Sequence, residues 1–399
     1  MKQTVKVATL LSLSAATLLA SGYRIPEQSL NSVALSAAYV ASANGADASY
    51  YNPANMAFMA EGGYIETSLT YINLPKVDYT DSGNSAQNGD SKEENFLLPN
   101  LHYVSPMVGN WRYGLSIVAP AGLSKRWDES YQMRSSEEFT LKVIEINPTA
   151  SYKVNDQLAL GFGLRGVYTT GVIKYQRAGV YTNDMEADSI DFGYNLALSY
   201  KPIEDLTLSA TYRSKVNLTV DGDATTTWLG APSSGDVKTK IPLPASLALA
   251  AAYTMDKTTL EFVFERTYWS SYKELDFDFE NPTAEQNLGG SRAKNWKDVN
   301  AYRIGLSHQY SDALKLMAGF AIDKTPVPTS TLGFELPDSD AKLYSVGFEY
   351  KVSQSLKVGL AYLYDEKEKR STTTNLAGVN GKFTDSAAHL VTASLKYKF

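Results

Sequence analysis

The sequence predicts an all-β protein: a 14-stranded antiparallel transmembrane β-barrel with a small N-terminal helical hatch, or plug, inside its lumen. Three observations predict it. From residue 62 onward, apolar and polar residues alternate over long segments. Short polar turns and long polar loops take turns in joining those segments, as an up-and-down barrel requires. Before residue 62 lies an Ala- and Ser-rich stretch with no such alternation. Small side chains let a stretch like that pack inside a confined space.

The chain has 399 residues, and residues 1–22 read as a secretory signal peptide. Val7 to Ala20 is free of charge, follows Lys2 and Lys6, and runs into Ala20-Ser21-Gly22. It is too short to span a bilayer. Cleavage after Gly22 or after Ala20 suits the small residues there. There are no cysteines, so a secreted chain gains nothing from disulfides. The formal charge of −6 becomes more negative once Lys2 and Lys6 leave, which excludes a basic nucleic-acid footprint. A mean hydropathy of −0.25 excludes a helical membrane protein. Tyrosine is abundant, at 27 residues, and favours both strands and the lipid–water boundary.

Residues 23–61 form the predicted hatch. Ser29 to Ala43 carries a weak apolar stripe at helical spacing and can be written as one or two short helices, ended by Asn44-Gly45. Asp47-Ala48-Ser49 restarts a turn. Asn52, Pro53 and Ala54 make a rigid turn, because Pro53 fixes its own φ and pushes Asn52 out of the helical region. These three are the candidate gating residues.

Residues 62–399 form the predicted barrel. Short turns fall near Gly109, Asp156, Pro202, Asp256, Ser311 and Gln354. Long loops are expected over 78–95, 120–138, 176–188, 221–242, 273–298, 325–338 and 367–385. Six turns and seven loops join fourteen strands, and the even count suits a bacterial barrel. On the strand after residue 190, Phe192, Tyr194, Leu196 and Leu198 oppose Gly193, Asn195, Ala197 and Ser199. On the next, Leu206, Leu208, Ala210, Tyr212, Val216, Leu218 and Val220 share a lipid-facing side, which turns Arg213 and Lys215 inward. Aromatics gather at segment ends, as in the girdles of membrane barrels. A soluble sandwich also alternates, but with shorter strands. The chain ends on Phe399, a terminal aromatic like the recognition signal of outer-membrane barrels.

At this point the chain resembles the FadL family of outer-membrane transporters for long-chain fatty acids and, in some branches, aromatic hydrocarbons. The resemblance rests on an ordered set: Gly22-Tyr23, Glu27-Gln28-Ser29, Asp47-Ala48-Ser49, and Asn52-Pro53-Ala54. It continues through Pro99-Asn100-Leu101-His102, Ala119-Pro120-Ala121-Gly122-Leu123-Ser124, Ile241-Pro242-Leu243-Pro244 and Trp269-Ser270-Ser271-Tyr272. It implies a hatch at the N-terminus and a kinked third strand that opens the wall sideways. Pro120, Ala121 and Gly122 are the candidates for that opening, since Pro120 lacks a ladder N–H and Gly122 lacks a side chain.

A fatty acid needs apolar surface for its tail and a cation for its carboxylate. Trp228, Phe277 and Phe334 are the apolar candidates on the loops, and Arg165 and Arg177 the inward-facing cations. Arginine suits a carboxylate through paired N–H donors. Glu145, Glu261, Glu265 and Glu349 also face inward, so an internal ion-pair network holding the hatch is the competing role for the arginines. The histidines, His102, His308 and His389, fall on different strands without metal-ligand spacing, and no phosphate-binding loop is present. The expectation is therefore a monomeric, non-enzymatic uptake channel that uses no cofactor. It would lie in the outer membrane among lipid and lipopolysaccharide and bind a hydrophobic small molecule. A hydrocarbon channel of the same fold and a permanently plugged structural or adhesion barrel are the alternatives.

Overall fold

The structure, a computed structural model, describes residues 22–399, so the proposed signal peptide, Gly22 apart, lies outside the described residues. Fourteen wall strands form one closed antiparallel barrel. Strand β1 is Tyr64–Leu74 and β2 is Glu94–Val104. Next come β3 (Trp111–Arg126), β4 (Glu138–Lys153), β5 (Leu158–Arg177) and β6 (Tyr181–Ile203). Two strands are interrupted once each. β7 comprises Leu206–Arg213 and Val216–Trp228, and β8 comprises Ala231–Leu243 and Ser246–Met255. Then come β9 (Thr258–Thr267), β10 (Val299–Gln309) and β11 (Leu314–Asp323). β12 (Ala341–Lys351), β13 (Leu356–Lys367) and β14 (Ala387–Lys398) complete the wall. β1 pairs with β14 from Tyr64↔Lys398 to Asn73↔His389, which closes the sheet and removes its free edges. No described helix is long and apolar enough to cross a membrane.

The outward side chains are apolar and bare. Phe192 is 78% exposed, Ile190 67% and Leu164 66%. That pattern suits hydrocarbon outside and protein inside.

Two expected loops are strand instead. Residues 176–188 and 221–242 form the upper halves of β5 to β8, with tight hairpins at Arg177–Tyr181 and Trp228–Ala231. Their Ser, Thr and Asp content marks contact with water, not a loop. β5 and β6, at 20 and 23 residues, are about twice as long as a bilayer crossing needs. The barrel wall therefore continues above the membrane on this side.

The N-terminal segment fills the lower lumen. Helix α1 is only Leu30–Ala34, capped by the Ser29 hydroxyl, which accepts from Ser32 N. The chain then turns through Ser36 and Ala37, both with positive φ. The wall cuts the helix short: a Cβ on Gly319 would lie 2.1 Å from the Leu35 carbonyl carbon. Helix α2 (Ala48–Tyr51) stands where a turn was expected, and a 3₁₀ turn over Pro53–Phe58 follows it. Gly161 of β5 makes the same close approach to Ala54, where a Cβ would meet the backbone N at 2.4 Å.

Candidate ligand pathway

The lumen has two halves of opposite character. Below, polar residues of the wall grip the N-terminal segment. Above, Leu141, Val143, Val167, Leu218, Ile241 and Leu243 line a continuous apolar cluster. Sequence periodicity places Val216, Leu218 and Val220 on the lipid side together with Leu208. The structure corrects this: Leu208 is exposed, while all three valine and leucine residues beyond it are buried in the lumen. The reason is the interruption at Ser214-Lys215. Ser214 leaves the ladder, its N bonding Tyr194 O at 2.9 Å and its hydroxyl accepting from Tyr194 N at 2.9 Å. The strand resumes with its faces exchanged, because a pause in pairing reverses a period-two pattern. Lys215, expected inward, is consequently exposed.

β3 is irregular beside Pro120, while Ala121 and Gly122 pair with Val143 and Lys142 of β4. Its register to β4 slips between Val118 and Ala121, a bulge. β2 and β3 pair only from Leu101↔Ile117 to Val104↔Gly114. Above that, the N-terminal segment takes the place of β2. Ile25 N donates to Pro120 O and Gly122 N to Tyr23 O, each at 2.9 Å. The Gln28 side-chain amide bonds both backbone groups of Ala119, its Nε2 donating to the carbonyl and its Oε1 accepting from the N–H, both at 2.9 Å. A side chain thus completes the ladder of a wall strand. Sequence reading quoted Gln28 only as part of a motif and missed this role.

A cavity of 490 Å³ opens among the upper hairpins, within the ~300–1,000 Å³ range of small-molecule sites. Arg134, Tyr175, Arg292 and Lys294 line it beside Phe139, Ile173, Leu275 and Leu288. Phe139 and Ile173 also line a narrow apolar cleft with Leu141, Met185, Val220, Val237 and Phe277. Phe139 and Leu141 continue into a second cleft floored by Tyr23 and Leu123, beside the β3 break. Lys294 is paired with Glu335. Arg292 donates to Tyr175 OH at 2.9 Å and lies over the Tyr175 and Phe277 rings, with no carboxylate at ion-pair distance among the described residues; Glu335, on the same cavity, is held by Lys294 and feels Arg292 only from farther off.

The predicted site residues scatter along this path. Phe277 lines the first cleft. Phe334 packs edge-on against Tyr79 and Trp127 in the aromatic roof. Trp228 stacks on Tyr181 at the hairpin tips, and Arg177 is exposed at the same level, outside the cavity. Arg165 is engaged lower down, with Glu145 at 2.9 Å and Ser214 O at 2.6 Å, as part of a network that also takes in Arg213. Arg134, Arg292 and Phe139 were missed. Phe139 and Leu141 share the parity of Glu145, and an apolar residue in phase with a lumen carboxylate was the available signal.

Asn52 and Asn55 organise the N-terminal segment. Asn52 Nδ2 donates to Val40 O and to the hydroxyls of Ser199 and Ser209 on the wall. Asn55 Nδ2 donates to the carbonyls of Val40, Ala41 and Ala43. Pro53 opens the 3₁₀ turn, and Ala54 sits against Gly161. From the wall, the Glu261 carboxylate accepts from Val40 N at 2.6 Å, Ala41 N at 2.7 Å, Ser42 N at 3.0 Å and the Ser42 hydroxyl. Arg112 donates to the carbonyls of Met56, Met59, Ala60 and Gly62.

Glu27 is the exception in this well-bonded segment: it is fully buried and neither carboxylate oxygen has a hydrogen-bond partner. Burial lifts its pKa to about 7, with Arg303 opposing and Asp323 and Asp365 adding to the rise. An acid raised in the fold binds its proton more tightly there than in the open chain. Its destabilising effect is absent at pH 4.5 and grows until pH is about 7. The protection factors of residues 23–28, that is, exchange rates divided by the intrinsic base-catalysed rates at each pH, are expected to be about tenfold or more lower at pH 8 than at pH 5, and Glu27→Gln is expected to abolish that difference.

Fold and pathway together define a plugged outer-membrane β-barrel. The chain belongs to the outer membrane transport protein family described as OMPP1/FadL/TodX, whose family model matches residues 11–399. It is 23% identical over 372 aligned positions to the long-chain fatty acid transport protein of Escherichia coli O6:H1, covering 80% of this chain and 81% of that one. It is 23% identical to outer membrane protein P1 of Haemophilus influenzae, covering 98% of each. Among solved structures, a Pseudomonas aeruginosa FadL homologue superposes with a TM-score of 0.83 at 19% identity, over 95% of this chain and 100% of that one. The Pseudomonas putida toluene transporter TodX does so at 0.73 and 19%, over 92% and 98%.

Proposed function

We propose that the protein is an uptake channel for hydrophobic small molecules, with long-chain fatty acids as its principal ligands. The ligand lands in the cavity among the upper hairpins. It slides through the apolar clefts past Leu141, displaces Tyr23 to Gln28 from β3, and leaves sideways between β2 and β3 into the membrane. The observation that carries this reading is the run of shared walls, from the outer cavity to the β3 break, with apolar surface along its whole length. The related fatty acid and toluene transporters support it. Direction comes from consumption of ligand downstream.

Arg292 favours an acid over a neutral hydrocarbon, since its guanidinium faces the cavity without a carboxylate of its own. In cells carrying Arg292→Gln, uptake of labelled oleate is expected to fall about tenfold, while toluene uptake stays unchanged. An equal effect on both ligands would remove the carboxylate from the recognition step. Toluene uptake with no oleate uptake in the unmodified protein would turn the assignment to hydrocarbons.

A further inference from the structure

At the opposite end of the barrel, where the short turns lie, a second cavity of 540 Å³ opens. In barrels of this kind that end faces the periplasm. It shares no lining residue with the pathway above. Its ceiling is the Ser42–Ala46 loop of the N-terminal segment, and its walls carry five lysines against only two carboxylates, Asp256 and Glu349. Glu349 is already engaged by Lys357 at 2.7 Å and Lys396 at 2.8 Å. Lys396 also approaches Glu66 at 3.6 Å. The Lys315 ammonium, partly buried in the wall, has no hydrogen bond or ion pair among the described residues. Lys257 and Lys398 line the cavity without an ion pair of their own, and Lys398 lies 5.5 Å from the Tyr64 ring centre.

In the middle of the lumen, by contrast, three arginines are matched by carboxylates. Arg165 and Arg213 share Glu145, and Arg303 holds Asp323 and Glu265. In the vestibule Glu349 and Glu66 engage Lys357 and Lys396, which leaves Lys257, Lys315 and Lys398. A wet cavity with low-dielectric walls focuses such a surplus and concentrates anions in it.

We infer that this periplasmic vestibule is a binding site for a small oxyanion, a carboxylate or a phosphate group, held by Lys315 with Lys257 and Lys398 around it. Asn44 lines the same space from above, so a bound anion ties the wall to the Ser42–Ala46 loop and steadies the N-terminal segment from below. The carboxylate would be that of a ligand arriving through the lumen. A phosphate group would come from a periplasmic solute.

The test uses the full-length barrel in non-ionic detergent, titrated separately with inorganic phosphate and with butanoate, and read by calorimetry and by hydrogen exchange over residues 42–46. Saturable binding of at least one probe is expected, with slower exchange in that loop. Lys315→Gln weakens binding about tenfold and Lys315→Arg restores it. Arg292→Gln, in the outer cavity, leaves the slowing of exchange over residues 42–46 unchanged, since butanoate held at Arg292 does not reach that loop, which separates this site from the uptake pathway. Binding of phosphate alone assigns the site to a periplasmic solute, and of butanoate alone to a carboxylate ligand. The proposal is overturned if neither probe saturates below about 10 mM, or if Lys315→Gln leaves the affinity unchanged.

Discussion

Leu218→Glu yields a barrel that assembles normally in the outer membrane but no longer takes up oleate. Leu208→Glu does the reverse, assembling modestly less well, with uptake per folded barrel retained. The two leucines lie on one strand with the same parity, and only the interruption at Ser214-Lys215 separates them. Leu208 is 39% exposed on the lipid side close to the short turn at Ile203–Leu206, where a carboxylate costs about 1 kcal/mol of membrane stability. Leu218 is fully buried in the apolar upper lumen. A carboxylate there is not offered to lipid. It is offered to the tail of the ligand, which it repels by drawing water into the path. The measurements are the heat-dependent gel mobility of the barrel and uptake normalised to folded protein. An assembly defect in both variants would place Leu218 in the lipid-facing wall and remove the apolar lumen from the mechanism.

Glu261→Ala loosens the N-terminal segment over residues 40–42. It orphans the N–H groups of Val40, Ala41 and Ser42 and the Ser42 hydroxyl at once. Lost charge-assisted hydrogen bonds cost about 1.5–3 kcal/mol each, and water recovers part of that. A net loss of about 3 kcal/mol corresponds to roughly a hundredfold faster exchange over residues 40–42. Ion conductance in planar bilayers rises as well, because Asn52 and Asn55 anchor on the same loop. Glu261→Gln, which keeps an acceptor oxygen, is expected to show a smaller effect. An unchanged exchange rate in Glu261→Ala would mean that Asn52 and Asn55 alone hold the loop, and would favour a permanently fixed plug.

Much of the fold was legible because its causes are local. Turn residues such as Asn155-Asp156 and Ser353-Gln354-Ser355 mark the short connections wherever the chain must reverse. Small residues mark the N-terminal segment as something packed in a tight space, and wall glycines such as Gly161 and Gly319 meet it there. The slip beside Pro120 was legible from the missing N–H, whereas Ala121 and Gly122, expected to share in it, are paired with Val143 and Lys142. The pathway itself was harder. Thr, Ser and Asp between 176 and 188 and between 221 and 242 read as loop, because solvent-exposed strand and solvent-exposed loop draw on the same polar residues. Arg165 has the chemistry of a ligand-binding cation, yet Glu145 from the neighbouring strand claims it. Arg292 sits in a stretch with no periodicity at all and reaches the cavity only because Glu274–Phe279 pairs with the upper part of β8.

By itself, the sequence determined that this chain is a membrane barrel with an occupied lumen, since a period of two and the spacing of turns depend only on neighbours along the chain. Only the tertiary structure decided which side of the upper wall faces the lumen. A period of two has no memory across a break. One pause at Ser214-Lys215 exchanges inside for outside for the rest of β7, through Trp228, and nothing in the one-dimensional pattern records the exchange.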